Sequence, residues 1–215
     1  MSKIFKFIIK NYLAIIIIIC GVLGTFAAFH LLNNRIELYK NPNFIPSCSV
    51  NVWLDCGPVM KSKWADLFGF PNTIIGLMAY PLAVITGLFI IANEKNRRWI
   101  MLFCTSLAGL GTITNLILLY ISSYLIGALC PWCLLAGVAT SNIFFALVCY
   151  NVLEDHIKFK EVTQKKLKHW INGLFTIIPV SLYYLLLFAL VLFSFYLRQD
   201  LNIDTTTFVD PIFWL

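Results

Sequence analysis

The sequence predicts an all-α integral membrane protein with five transmembrane helices, and three observations carry that prediction. Hydrophobic side chains make up 60% of the 215 residues and charged ones only 12%, about half the charge of a soluble domain. The apolar residues collect into five runs, each long enough as a helix to cross a hydrocarbon core of roughly 30 Å. The basic residues stand in short clusters at the ends of those runs. The net charge of +6 therefore reads as a membrane-topology signal, and nucleic acid is excluded as the partner.

Lys3, Lys6 and Lys10 precede the first run, residues 11–32, which holds five consecutive isoleucines, Ile15 to Ile19. A basic start before an apolar run resembles a signal peptide, but this run exceeds a usual h-region and reads as an uncleaved first span. Residues 33–72 form the longest polar segment. It contains four prolines, Cys48, Cys56, Trp53, Trp64, Phe68 and Phe70, an aromatic content that predicts a structured cap on the membrane surface. The piece beginning Lys61-Ser-Lys-Trp has the mixed character of a short interfacial helix.

The second span covers 73–93 and contains Pro81, which is expected to kink it. A charged turn, Glu94-Lys-Asn-Arg-Arg98, leads to the third span over 99–122, where Gly109 and Gly111 allow close helix approach. A short turn at 123–129 enters the fourth span over 131–150, opened by Cys130-Pro-Trp-Cys133. A Lys-rich linker (151–170), a fifth span (171–197) with Pro179, and a tail (198–215) complete the chain. With the N-terminus inside, the inner segments hold Lys3, Lys6, Lys10, Lys95, Arg97, Arg98, Lys158, Lys160, Lys165, Lys166 and Lys168. The outer segments hold Arg35, Lys40, Lys61, Lys63 and Arg198. Eleven against five orients the N-terminus to the cytoplasm. It turns Cys48, Cys56, Cys130 and Cys133 outward, toward an oxidising compartment such as a periplasm.

Cys20, Cys104 and Cys149 lie inside apolar runs and read as small packing hydrophobes. The other four form two pairs. Zinc sites share the Cys-x-x-Cys spacing, but Cys48 and Cys56 lack the usual knuckle spacing, and no metal is assigned. A structural disulfide explains the loop pair, whereas one between Cys130 and Cys133 closes almost no chain and would stabilise little. Reversible redox chemistry suits that motif better. Pro131 fits the first helical position, and the helix N-terminus favours a thiolate at Cys130. Two dithiols on one face suggest a relay through a mixed disulfide. Cys133, a turn inside the helix, would face the membrane, where a quinone fits as a lipid-soluble two-electron acceptor.

Five features in register resemble the vitamin K epoxide reductase family over roughly residues 15–150. They are Cys48 and Cys56 in the first outer loop, Ser62 six residues on, Phe68-Gly69, Asn72 with Gly76 opening the second span, and Cys130-Pro-Trp-Cys133 opening the fourth. The resemblance implies that residues 1–150 form a four-helix bundle around a quinone pocket, capped by loop 33–72, with the fifth helix outside it. By the same resemblance, Cys48 exchanges with a thioredoxin-like partner, Cys56 forms a mixed disulfide with Cys130, and Cys133 faces the quinone. Asn72 hydrogen-bonds a quinone carbonyl, and Ser62 supports the cap. By itself, Asn72 also reads as a helix cap and Ser62 as a surface serine.

Two departures qualify the likeness. Vertebrate members carry a tyrosine where this chain has Gly137, which disfavours epoxide reduction and points to a different quinone headgroup. Many bacterial members carry a fused thioredoxin-like domain, for which the residues after the fifth span are too few, so the expected partner is a separate DsbA-like protein of the periplasm. Asn115 and Asn142, inside spans, should face the bundle interior as helix–helix contacts or pocket lining. The expectation is an enzyme of the bacterial inner membrane that reoxidises the DsbA-like protein with ubiquinone or menaquinone. The rivals are the same relay run as a reductase from quinol, a scaffold with permanent disulfides, and a five-span transporter, which the lack of a charged pathway disfavours.

Overall fold

The computed structural model describes residues 3–51, 53–67, 69–92, 98–157, 163, 165–167, 171 and 177–201. Phe68, most of the charged turn near residue 95, most of the linker and the tail beyond residue 201 lie outside the described residues. Six α-helices are described. They are α1 (Lys3–Lys40), α2 (Cys56–Lys61), α3 (Asn72–Ile91), α4 (Arg98–Tyr120), α5 (Pro131–Leu153) and α6 (Ile177–Leu201). All but α2 contain a stretch long and apolar enough to cross a membrane. The chain is an all-α multi-pass membrane protein.

In lipid, apolar burial does not distinguish one helix face from another, so close van der Waals packing must select the contacts. Small residues provide it. α1 packs against α3 and α5, and α4 against α5. Gly24 brings α1 so near α3 that a Cβ there would sit 2.4 Å from the Tyr80 ring. Gly109 and Gly111 meet Phe144 and Thr140 of α5, each with only 3.1 Å for a Cβ, the close approach expected for them. Ala14, Ile17, Tyr80, Met101, Ile143 and Leu147 belong to the resulting core. Cys20, Cys104 and Cys149 pack against that core, and the Cys104 sulfur also meets the Thr86 hydroxyl at 3.7 Å. Outward faces carry exposed Val22, Leu88, Ile113 and Leu185, suited to lipid contact.

Three boundaries differ from expectation. α1 breaks its helical geometry at Asn11 and then runs on to Lys40, eight residues past the predicted span end. Leu31, Asn34, Arg35 and Leu38 are buried there at helical spacing, so the extension packs one face against the cap. The cap helix α2 starts at Cys56 and stops where Ser62 turns the chain into a 3₁₀ turn, Lys63–Asp66. It therefore lies earlier than the predicted interfacial helix. α3 continues through Pro81. Beyond α4, residues Ile121–Ile126 widen into a π-helical turn that ends at Gly127, whose φ of 76° suits glycine.

Candidate active site

A short backbone bridge assembles the site. Leu54 and Leu129 pair in parallel: the Leu129 N–H donates to Trp53 O at 2.8 Å, and the Asp55 N–H donates to Leu129 O at 3.0 Å. Just beyond it both segments enter helices, with Cys56 as the first residue of α2 and Cys130 as the N-cap of α5. Their sulfurs lie 3.1 Å apart. The bridge thus converts a separation of seventy-four positions into contact distance.

Cys56 is disulfide-bonded to Cys48, with Cα atoms 5.8 Å apart, while Cys130 and Cys133 are free thiols. The Cys48, Cys56 and Cys130 sulfurs all fall within 4.8 Å of one another. Leu31, Leu38 and Met60 enclose them, with Phe44, Val59 and Trp132 packed around. A sulfur already in a disulfide has no thiolate charge to offer a cation, so the cluster as it stands is arranged for thiol–disulfide exchange. Asp55 ties the two loop cysteines together. Its carboxylate caps α2 by accepting the Gly57 N–H at 2.8 Å and also accepts the Ser49 hydroxyl beside Cys48.

Cys130 is a thiol held toward its charged form. The Cys133 side chain hydrogen-bonds to it and lowers its pKa below the usual thiol value. Burial opposes this, the backbone N–H groups of Cys133 and Trp132 assist, and the Asp55 charge opposes. The Cys133 N–H reaches the Cys130 sulfur at 3.4 Å, the helix N-terminus acting on a thiolate as its position predicts. Trp132 stacks on His30 of α1 at 4.7 Å. The Asn34 amide lies 3.2 Å from the His30 ring Nδ1, which orients the imidazole that Trp132 stacks on.

Cys133 is exposed, and it borders a cavity of about 1400 Å³. The cavity lies among α3, α4 and α5 beneath the cap, and its wall is predominantly aliphatic and aromatic. Tyr183 and Tyr184 of α6 also line it; Tyr184 accepts from Asn142 at 2.8 Å, and Tyr183 meets Ser141 at 3.0 Å. Asn142 is therefore a helix–helix contact, and the fifth helix forms part of the cavity wall.

The remaining sequence-selected residues sit at the cavity's cap. Asn72 opens α3, its amide donating to Trp64 O at 2.8 Å and accepting the Leu67 N–H at 3.2 Å. It clasps the 3₁₀ turn instead of capping its own helix, and one amide hydrogen is left for another acceptor. Ser62 donates to Val59 O at 2.8 Å and ends α2, a supporting role in the cap. Both line the cavity. Sequence reasoning counted Arg35 only as a topology charge. Its guanidinium is buried, donates to Met60 O and Asp66, and lies 4.7 Å over the Tyr39 ring. The signal was its place on the Leu31–Leu38 stripe.

The model of the Vitamin K epoxide reductase family matches residues 15–149. The chain belongs to that family. Membership makes it a membrane thiol oxidoreductase, of a family that works with quinones in general. The matched region covers both cysteine pairs and all the helices that meet at the sulfur cluster.

Proposed function

We propose that the chain is a thiol:quinone oxidoreductase of a bacterial inner membrane, with its N-terminus in the cytoplasm and its cysteines toward the periplasm. It reoxidises a separate DsbA-like dithiol protein and thereby sustains disulfide formation. The observation that carries this reading is the pair of surroundings of one motif: Cys130 is 3.1 Å from Cys56, while Cys133 borders a large apolar cavity. One cysteine faces the thiol side and the other the lipid-soluble side.

The exchange balances as follows. A partner thiolate attacks Cys48, breaking the Cys48–Cys56 bond and releasing Cys56 as thiolate. The partner's second thiol then closes the partner's own disulfide and frees Cys48. Cys56 attacks Cys130 of an oxidised Cys130–Cys133 pair, and Cys133 leaves as thiolate. Cys48 attacks Cys56, which remakes the loop disulfide and frees Cys130. The outcome is a closed loop pair and a reduced motif pair, the pairing described above. A quinone supplies the acceptor for two electrons and two protons, after which Cys130 and Cys133 are bonded again. The cavity's size and apolar wall suit a quinone ring with part of an isoprenoid tail. Cys133, the spare amide hydrogen of Asn72 and the Ser62-supported cap would hold the ring end. The acceptor in this reading is a membrane quinone of the ubiquinone or menaquinone class.

A single-turnover experiment tests the relay. Fully oxidised protein is mixed with reduced partner, quenched with an alkylating agent and mapped by peptide mass spectrometry. A transient Cys56–Cys130 peptide pair is expected. Pairings that never change would leave the cysteines as permanent staples.

A further inference from the structure

Gly137 is a glycine that packing does not require. It lies one turn beyond Cys133 on α5, and residues four apart share a helix face. A Cβ built on it meets nothing nearer than Asn115 Oδ1 at 3.8 Å, an ordinary contact, in contrast to the 3.1 Å at Gly109 and Gly111. Mid-helix glycine costs about 1 kcal/mol relative to alanine, so an unfilled slot facing the cavity below Cys133 calls for another explanation.

The opposite side of that slot is Asn115 of α4, which also lines the cavity. Its amide nitrogen donates to Gly111 O at 2.9 Å, which uses one of its two hydrogens. The second hydrogen and the carbonyl oxygen remain available to a ligand. Three hydroxyls of the same wall are engaged: Thr86, Thr114 and Ser141 each donate to the carbonyl four residues back in their own helix. An amide inside a membrane span is expensive to leave half-satisfied.

Resting on the quinone reading above, we propose that Gly137 and Asn115 form the seat of the quinone ring, with Asn115 as the deeper of two amide contacts. Asn72 holds the ring near the cap, and Asn115 binds a ring oxygen in the space that Gly137 leaves open. An amide suits a substrate that changes from acceptor to donor. Its N–H donates to the carbonyl oxygen of the oxidised ring, and its oxygen accepts the hydroxyl of the reduced one. Asn115 is thus a specificity residue for the quinone headgroup, and it takes no electrons or protons itself.

The test is steady-state turnover of the full-length protein in lipid nanodiscs with a reduced DsbA-like protein and a short-chain soluble quinone. Asn115→Leu should raise the quinone KM roughly tenfold, the worth of one hydrogen bond. The KM for the partner and the rate of Cys56–Cys130 formation should stay unchanged, a split that a merely structural role would not produce. Gly137→Leu, whose Cβ would make only ordinary contacts with Asn115, should raise the quinone KM similarly, and it decides the matter if Asn115→Leu does not fold. An unchanged quinone KM in either folded variant, with active wild type, overturns the seat and leaves the relay standing. Wild type that reduces no quinone overturns both.

Discussion

Arg35→Met should open the cap. The wild-type guanidinium donates to Asp66 and to Met60 O and lies over Tyr39, joining α1 to the end of α2 and the 3₁₀ turn. The Arg35 side chain is 7% exposed and that of Asp66 22%. Stranding one member of a buried pair costs about 3–5 kcal/mol, and the residual exposure of Asp66 sets the value near the lower end. An unpaired Met60 carbonyl adds about 1 kcal/mol. The sum, about 4 kcal/mol, corresponds to roughly a thousandfold in the ratio of open to closed cap. Hydrogen–deuterium exchange of the amides in α2 and the 3₁₀ turn, measured in nanodiscs, reads that ratio. The double variant Arg35→Met/Asp66→Leu strands no charge and should recover most of the protection. Wild-type exchange in Arg35→Met, or a double variant no better protected than the single, would refute the anchoring role.

Two further outcomes follow from the geometry. In reduced protein, Cys130 should react with N-ethylmaleimide through a pH midpoint below that of an ordinary thiol, because the lowered pKa leaves it protonated and slow only at more acidic pH. Cys133→Ala removes the largest cause of that lowering and leaves burial, so the midpoint should move up; mass spectrometry of the labelled peptide over a pH series measures it. Gly24→Ala places a Cβ 2.4 Å from the Tyr80 ring and should destabilise the α1–α3 packing by about 1–3 kcal/mol. A lowered thermal unfolding temperature would register the effect, and an unchanged one would mean that the helices separate freely.

The five spans were legible because hydropathy over twenty residues is a local property, and the described helices fall on all five runs. The outer segment was less so. Its helix starts and stops depend on partners distant in sequence: Asp66 for the end of α1, and the cysteine cluster for the start of α2. The two cysteine pairs stood out by type and spacing, but their meeting relies on backbone hydrogen bonds between Leu54 and Leu129. Those groups are present in every residue, so no side-chain pattern signals them. Asn72 was identifiable by its place at the start of the second span, yet its hold on Trp64 and Leu67 could come only from coordinates. Tyr183 and Tyr184 looked like ordinary residues of an apolar run until α6 packed beside α5 and brought them to the cavity.

The central claim is that Cys130 receives electrons from the loop pair and Cys133 passes them to quinone. The most direct measurement follows quinone absorbance after reduced DsbA-like protein is added to the full-length protein in nanodiscs. Wild type should reduce the quinone with one partner disulfide formed per quinol, and Cys133→Ala should reduce none. Normal turnover in Cys133→Ala would contradict the account.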